Sequence, residues 1–151
     1  MLPFRRILCP TDFSEPACTA IKHAVEMAQH FASELIIHHV VGAIPAIESP
    51  TGVTNFDLPA YQRELTSAAE TSLKSKLARH VPESVHARTL VTHGDAAHEI
   101  VRVAEEEDVD LIVLSTHGAT GWRHLIFGSV AERVVKLAKC NVLTVYSRPP
   151  E

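Results

Sequence analysis

The sequence predicts an α/β protein with one doubly wound sheet of five parallel strands and helices on both faces. Short apolar runs rich in β-branched residues alternate with longer segments whose apolar residues recur every three or four positions. This alternation continues along the whole chain, as expected for parallel strands joined by helical crossovers. A length of 151 residues suits one domain, 1–151, and is short for two domains of ordinary size.

The first half of the chain predicts two strands and two helices. Ser14 is well placed to cap the first helix, and Pro82 ends the second. Between them lies a proline-containing stretch without a period, which predicts a long loop. The predicted elements are a strand at Phe4–Cys9, a helix from Ala17 to Phe31, a strand at Glu34–Val41, a loop at Gly42–Leu58 and a helix at Pro59–His80.

The second half predicts three strands and two helices. Asp95 is placed to cap the first of these helices, which carries Ile100, Val101 and Ala104 on one face. The predicted elements are a strand at Val85–Val91, a helix after Asp95, a strand at Asp110–Ser115, a helix at Ser129–Ala138 and a strand at Asn141–Tyr146.

Composition narrows the class of protein. A formal net charge of −4 gives no electrostatic reason to expect nucleic acid or an anionic membrane as a partner. No apolar run approaches the roughly 20 residues that span a bilayer, and the first ten residues lack the apolar region of a signal peptide. Three cysteines without paired spacing argue against a disulfide framework. We therefore expect a cytoplasmic protein.

The predicted sheet indicates where a ligand would bind. In doubly wound sheets ligands bind beyond the carboxyl ends of the strands where the strand order reverses, here expected between the first and fourth strands. Those ends are Cys9–Asp12 and Ser115–Gly118. Asp12 has two interpretations at this point: a ligand contact, or a turn residue whose carboxylate accepts from nearby N–H groups.

The stretch STHGATGWRHLIFGS, residues 115–129, also has two interpretations. Gly118 follows the fourth strand and Gly128 precedes the fourth helix, whose first N–H groups and dipole favour an anion such as phosphate. Alternatively, Ser129 and Glu132 form an S-x-x-E capping box that satisfies the same helix end from within. Spacing alone leaves both open.

Several other signatures do not occur in the sequence. Neither a P-loop GxxxxGK[ST] nor a GxGxxG after the first strand is present, so a P-loop site and hydride transfer on a dinucleotide are unsupported. Ten histidines show no metal-binding spacing. His38 and His39, being adjacent in a strand, point to opposite faces.

The sequence is similar to universal stress protein domains over nearly its whole length. RRILCPTDFSEPA, residues 5–17, resembles the opening strand and P-T-D-[FG]-S turn of that family. HEIVRVAEEEDVDLIVLSTHG, residues 98–118, matches its third helix and fourth strand. The resemblance implies a Rossmann-like fold of the adenine nucleotide alpha hydrolase type.

Nucleotide-binding members of the family carry G-x2-G-x9-G-[ST]. In this chain Gly118 and Gly128 enclose nine residues and Ser129 follows, so the second half of the motif fits. The first glycine of the motif is replaced by Ser115, whose Cβ would crowd a ribose or constrain the turn. Gly121 is not part of the motif.

The resemblance implies a role for each matching residue. Pro10, Thr11 and Asp12 would lie on the nucleoside side, with Asp12 near the ribose or a phosphate-bound metal ion. Val40 would meet the adenine ring. Leu114 and Ser115 would border the ribose.

The remaining residues of the motif would cradle phosphates: Gly118, Gly128, Ser129 and Val130. His117 lies inside the motif and is not expected to be catalytic.

The resemblance therefore implies a stress sensor or regulator that binds ATP or another adenine nucleotide with Mg²⁺. It also implies a homodimer formed by antiparallel pairing of the last strand, Asn141–Tyr146, which is expected at a sheet edge. Two alternatives remain. One is a homodimeric interaction module whose Ser115 has cost it the nucleotide site. The other is a slow ATPase, although no positioned base or activated nucleophile is evident.

Overall fold

Strands and helices alternate without exception in the computed structural model of the chain, which describes residues 2–43, 57–117 and 127–147. The elements are β1 (Arg6–Pro10), α1 (Glu15–Phe31), β2 (Glu34–Gly42), α2 (Leu58–His80), β3 (Ala87–Gly94), α3 (Ala96–Glu106), β4 (Leu111–Ser115), α4 (Ser129–Leu137) and β5 (Asn141–Val145).

The five strands form one parallel sheet in the order β3-β2-β1-β4-β5. The order reverses between β1 and β4, since the chain builds outward from β1 in one direction and from β4 in the other. The predicted doubly wound α/β fold, its reversal point and the edge position of the last strand are all confirmed.

Two apolar clusters cover the two faces of the sheet. Alternate residues of each strand point to opposite faces, so Ile7 joins one cluster and Leu8 the other. The first cluster packs beneath α1 and α2, where Ile21 and Leu73 are fully buried. The second packs beneath α3 and α4, where Val134 is fully buried. The second layer also holds the candidate site.

The helices begin where short polar side chains can accept from their first N–H groups. Ser14 accepts from Ala17 N at 3.4 Å, and Asp95 accepts from His98 N at 3.1 Å, so both predicted N-caps are confirmed. Within the described ranges, none of the helices has the length and apolarity needed to cross a membrane.

Ion pairs connect three strands at their amino ends. Glu34 at the start of β2 accepts from Arg6 of β1 at 3.1 Å and from Arg88 of β3 at 2.7 Å. Arg88 also pairs with Glu107 at the end of α3, and the Arg6 guanidinium donates to the Glu107 carbonyl at 2.7 Å. This cluster, Arg6–Glu34–Arg88–Glu107, lies at the amino ends of the strands, whereas the predicted site lies at their carboxyl ends.

Candidate functional site

A cleft opens beyond the carboxyl ends of β1 and β4, between the sheet and helices α3 and α4. It brings together every predicted site residue that the structure describes, while Gly118 lies outside the described residues. These are Pro10, Thr11, Asp12, Val40, Leu114, Ser115, His117, Gly128, Ser129 and Val130. The lining also includes residues that were not predicted: Ala17, His38, His39, Ala96, Ile100, Thr116 and Ala131.

The turn after β1 forms one wall of the cleft. Thr11 is buried, and its backbone N–H donates to the His38 carbonyl at 2.8 Å, which ties the turn to β2. The Asp12 carboxylate accepts from the backbone N–H of Ser14 at 3.0 Å and from its hydroxyl. Asp12 therefore does act as a turn residue, and its exposed position on the cleft wall also leaves it beside any ligand bound there.

Phe13 occupies an unusual backbone conformation in this turn. Its φ of 67° is in the left-handed region, which a bulky residue rarely adopts. The Phe13 ring packs on His39 with centroids 4.4 Å apart, and His39 Nδ1 donates to the Thr11 carbonyl at 2.8 Å. His39 thus holds the turn from the α1 side of the sheet, while His38 lies on the other face, as predicted for neighbours in a strand.

Ser115, which stands in place of the first glycine of the family's motif, has a defined structural role. The Ser115 hydroxyl donates to the carbonyl of His117 at 2.7 Å, which closes the first turn after β4. The adjacent Thr116 is buried, and its hydroxyl contacts His117 Nδ1 at 2.9 Å. The serine therefore uses its polar atom within its own turn.

Gly128 approaches that turn closely. Its N–H donates to the Thr116 carbonyl at 2.7 Å, and a Cβ on Gly128 would lie 3.3 Å from the same oxygen. Its φ of −72° is ordinary, so the close approach rather than the backbone conformation accounts for the glycine.

The alternative interpretation of α4, a capping box formed by Ser129 and Glu132, is wrong. The N-cap is Gly128, and Ser129 is already inside the helix, so the serine cannot cap it. Glu132, the other member of the box, instead pairs with Lys136 at 2.6 Å. No side chain within the described ranges caps α4. Its first N–H groups and the positive end of its dipole lie at the cleft, the arrangement that favours an anion.

The floor of the cleft is mostly apolar. Pro10, Val40 and Leu114 contribute from the strands, Ala96 and Ile100 from α3, and Ala131 from α4. The alanines leave space between sheet and helices, but an alanine in a helix carries no distinctive sequence signal, so these residues could not have been recognised from the sequence.

His38 is a buried polar side chain in this floor. It is fully buried, and its Nε2 contacts the Thr92 hydroxyl at 2.8 Å. Burial lowers the pKa of His38 to about 4, so its ring is neutral at physiological pH.

The described residues form no metal site. They contain no group of three or more His, Cys, Asp or Glu side chains that could hold a metal ion. The carboxylate lining the described cleft is that of Asp12.

The sequence matches the profile of the Universal stress protein family over residues 3–146. Universal stress protein MJ0531 of Methanocaldococcus jannaschii is 36% identical over 142 residues, covering 94% of this chain and 82% of that protein. The structure of protein MJ0577 superimposes with a TM-score of 0.80 at 31% identity, covering 97% of this chain and 98% of that one.

Two more distant structures carry a nucleotide. A universal stress protein in complex with cAMP has a TM-score of 0.60 at 22% identity, covering 94% of this chain and 96% of that one. One from Archaeoglobus fulgidus in complex with dAMP has a TM-score of 0.57 at 18% identity, covering 95% of this chain and 98% of that one. These two share the fold. By its profile match and its close relatives, the chain belongs to the universal stress protein family.

Proposed function

We propose that this protein binds an adenine nucleotide in the cleft between β1 and β4 and acts as a cytoplasmic stress sensor or regulator. One observation carries the proposal: an apolar slot lies next to a helix N-terminus without a side-chain cap, at the point where the strand order reverses. A flat base would occupy the slot, and phosphate would face α4.

The volume of the cleft supports this placement of the base in the slot and of the phosphate at α4. The described residues enclose about 200 Å³, less than the roughly 300–1,000 Å³ of pockets for drug-sized molecules. The enclosed part therefore suits one flat ring system, and the rest of a nucleotide would extend toward Ser129. The cAMP and dAMP complexes of distant relatives concern those proteins, but they make the ligand class a natural one to test here.

Phosphates would be held by the backbone N–H groups at the start of α4 and by the Ser129 hydroxyl. A triphosphate carries several negative charges, which Mg²⁺ would partly neutralise. Asp12 would contribute its carboxylate, either to the ribose or to that ion. We therefore expect Mg²⁺ to strengthen the binding of ATP more than that of AMP.

Calorimetric titration tests the proposal. Purified protein is titrated with ATP and with AMP, each with and without Mg²⁺, and thermal unfolding is followed in parallel because a ligand of the native state raises the Tm. A saturable heat and a raised Tm are expected with at least one of the two nucleotides. Neither effect with either nucleotide at millimolar concentration would refute nucleotide binding.

A second candidate function, a homodimeric interaction module without a nucleotide, is favoured by one observation. Apolar side chains are exposed on β5, on α4 and just after β5: Val135, Leu137, Leu143 and Tyr146. Because β5 is an edge strand, a second copy could extend the sheet by antiparallel pairing. Mass spectrometry of the denatured protein discriminates the two, since a co-purified adenine nucleotide would favour the first function.

A further inference from the structure

Both backbone polar groups of Thr11 are bonded to β2. Its N–H donates to the His38 carbonyl at 2.8 Å, and its carbonyl accepts from His39 Nδ1 at 2.8 Å. Adjacent residues of one strand therefore fix the turn after β1 on both sides of Thr11. The turn then presents Asp12, the residue that follows, on the cleft wall.

His39 contacts the neighbours of Asp12 on either side. Besides its bond to the Thr11 carbonyl, its ring packs against the Phe13 ring, with centroids 4.4 Å apart and planes inclined at 33°. Phe13 has a φ of 67°, and its N–H donates to Thr11 Oγ1 at 3.1 Å. A bulky residue persists in the left-handed region only where its surroundings over-determine it, and such residues cluster at ligand-binding sites. The turn is therefore held in a conformation that Phe13 alone would not favour.

The bond to Thr11 defines the tautomer of His39. A carbonyl oxygen only accepts, so Nδ1 carries a proton whether the ring is neutral or charged. Thr11 is buried, and a buried carbonyl that loses its donor is costly to leave unsatisfied. Without the Nδ1 donor, we expect the turn to shift until that carbonyl finds another partner, and Asp12 would move with it.

The place of His39 in β2 gives this shift a consequence for the cleft. Val40, the next residue of the strand, lines the slot in which a base would lie. The Asp12 carboxylate accepts from the N–H of Ser14, the N-cap of α1, at 3.0 Å. Ser14 therefore ties Asp12 to α1, whereas His39 sets its distance from the strand that forms the slot.

We propose that His39 is a positioning residue for nucleotide binding: by holding the Thr11 carbonyl, it places the Asp12 carboxylate against the ligand. The role assigned to His39 rests on the proposed nucleotide site and adds to it a residue that acts through another. It requires no contact between the His39 ring and the ligand. The effect of His39 on affinity should therefore pass entirely through Asp12.

Calorimetric titration with ATP and Mg²⁺ tests this dependence in matched variants. Asp12→Asn removes the charge and keeps an acceptor for Ser14. His39→Leu removes the donor and keeps an apolar contact for Phe13, whereas His39→Asn supplies an amide N–H at the position of Nδ1 and loses the ring. The double variant Asp12→Asn/His39→Leu measures whether the two residues act as a unit. Cooperative thermal unfolding identifies the variants that are folded.

We expect about tenfold lower ATP affinity in Asp12→Asn, in His39→Leu and in the double variant, because the second change then removes nothing further. His39→Asn should stay within about threefold of the wild-type affinity, since the donor is restored. His93→Leu is the control, because it removes a histidine that is bonded to Thr66 outside the described cleft lining, and it should bind ATP as the wild-type protein does.

Two outcomes would overturn the role of His39 and leave the proposed function standing. One is a roughly hundredfold loss in the double variant, which would mean that the two residues act independently. The other is an equal loss in His39→Leu and His39→Asn. Binding of neither ATP nor AMP by the wild-type protein would refute both the role of His39 and the proposed function.

A second measurement needs no variant. The ¹⁵N signals of the His39 ring report which nitrogen is protonated. We expect Nδ1 to be protonated at neutral pH with and without ATP, because the Thr11 carbonyl accepts from it in both states. A neutral ring protonated on Nε2 alone would contradict the proposal.

Discussion

At the scale of single residues, Gly128 is where the site depends most closely on side-chain size. A Cβ there would lie 3.3 Å from the Thr116 carbonyl oxygen and 3.7 Å from His117 Cα, so the turn after β4 would have to move away from α4. Both segments border the cleft. The glycine therefore sets the distance between the two walls that would hold a ligand.

Gly128→Ala should lower the affinity for ATP about tenfold and the free energy of unfolding by about 1 kcal/mol, a typical cost of overpacking. Calorimetry and urea denaturation measure the two effects. Gly42→Ala is the matched control, because a Cβ at Gly42 would meet nothing within 4 Å. Equal ATP affinity in Gly128→Ala and the wild-type protein would show that this approach does not shape the site.

Ser115 gives a second prediction. Because its hydroxyl bonds to the His117 carbonyl within its own turn, we expect Ser115→Gly to change ATP affinity by less than about threefold and to reduce stability by about 1 kcal/mol. Ser115→Ala separates loss of the hydrogen bond from the added backbone freedom of glycine. A large gain in ATP affinity in Ser115→Gly would show instead that the serine impairs the site.

His38 should make stability depend on pH. Its pKa falls from 6.5 to about 4 on burial, so between these values the unfolded chain binds a proton that the folded protein excludes. Stability from this group is fully present above pH 6.5 and falls as the pH drops toward 4, by about 3 kcal/mol at most. Among the nearby charged and titratable groups, Glu99 favours protonation of the ring, whereas His39 and Arg102 oppose it.

Urea denaturation from pH 7 to pH 4 measures this dependence. The stability of His38→Leu should decline less steeply than that of the wild-type protein over the interval, because other titrating groups act equally in both. Parallel declines would mean that the His38 ring is not excluded from protonation.

At the scale of elements, α1 ends at a residue in an unfavourable conformation. Its C-cap, Ala32, has φ 54° and ψ 42°, a left-handed conformation that costs an alanine roughly 1–2 kcal/mol. Its N–H donates to the Ala28 carbonyl, and the side chain is exposed, so a glycine would fit without loss of contacts.

Ala32→Gly should raise the free energy of unfolding by about 0.5–1 kcal/mol, measured by urea or thermal denaturation. Ala28→Gly, a change inside the same helix, is the matched control and should destabilise the protein. A loss of stability in Ala32→Gly would contradict the left-handed conformation at this C-cap.

The sequence predicts the helices and strands better than it predicts their ends. Apolar patterning predicts all nine elements of the described residues, because each helix buries one apolar face and the inner strands are apolar on both faces. The ends are less accurate: β3 continues to Gly94 rather than Val91, since its ladder with β2 runs to the end of that strand. The S-x-x-E pattern misled because Gly128 bonds to Thr116, a contact between distant elements that spacing does not encode.

The site divides in the same way. Pro10, Thr11 and Asp12 were predictable because they follow a strand at the reversal point of the sheet. His39 was not, because its role depends on the Phe13 ring and the Thr11 carbonyl, which only the folded turn brings to it. The lack of a hydrogen-bond partner for His38 Nδ1 among the described residues was likewise not predictable, because it depends on how the folded chain packs around the ring.

At the scale of the whole molecule, the edge strand β5 is where the proposed homodimer would form. It lies at the sheet edge, with Leu143 37% exposed and Tyr146, just beyond it, 63% exposed. A charge on an edge strand opposes pairing with another chain. The proposed homodimer should therefore depend on this strand.

Leu143→Lys should convert the dimer into a monomer at micromolar concentration, measured by light scattering or sedimentation equilibrium. Leu2→Lys, which adds the same charge at an exposed leucine outside β5, is the control and should leave the dimer intact. A wild-type monomer, or a dimer retained in Leu143→Lys, would count against assembly through this edge.

The ion pairs of the Arg6–Glu34–Arg88–Glu107 cluster join β1, β2, β3 and the end of α3 at the amino ends of the strands, away from the cleft. These ion pairs add to the contacts between the three strands, and their residues lie outside the described cleft lining. Residues at the carboxyl ends of the strands, such as Ser115, can therefore differ without disturbing these ion pairs. The fold can outlast changes in what it recognises, which is one physical route by which a family diversifies its ligands.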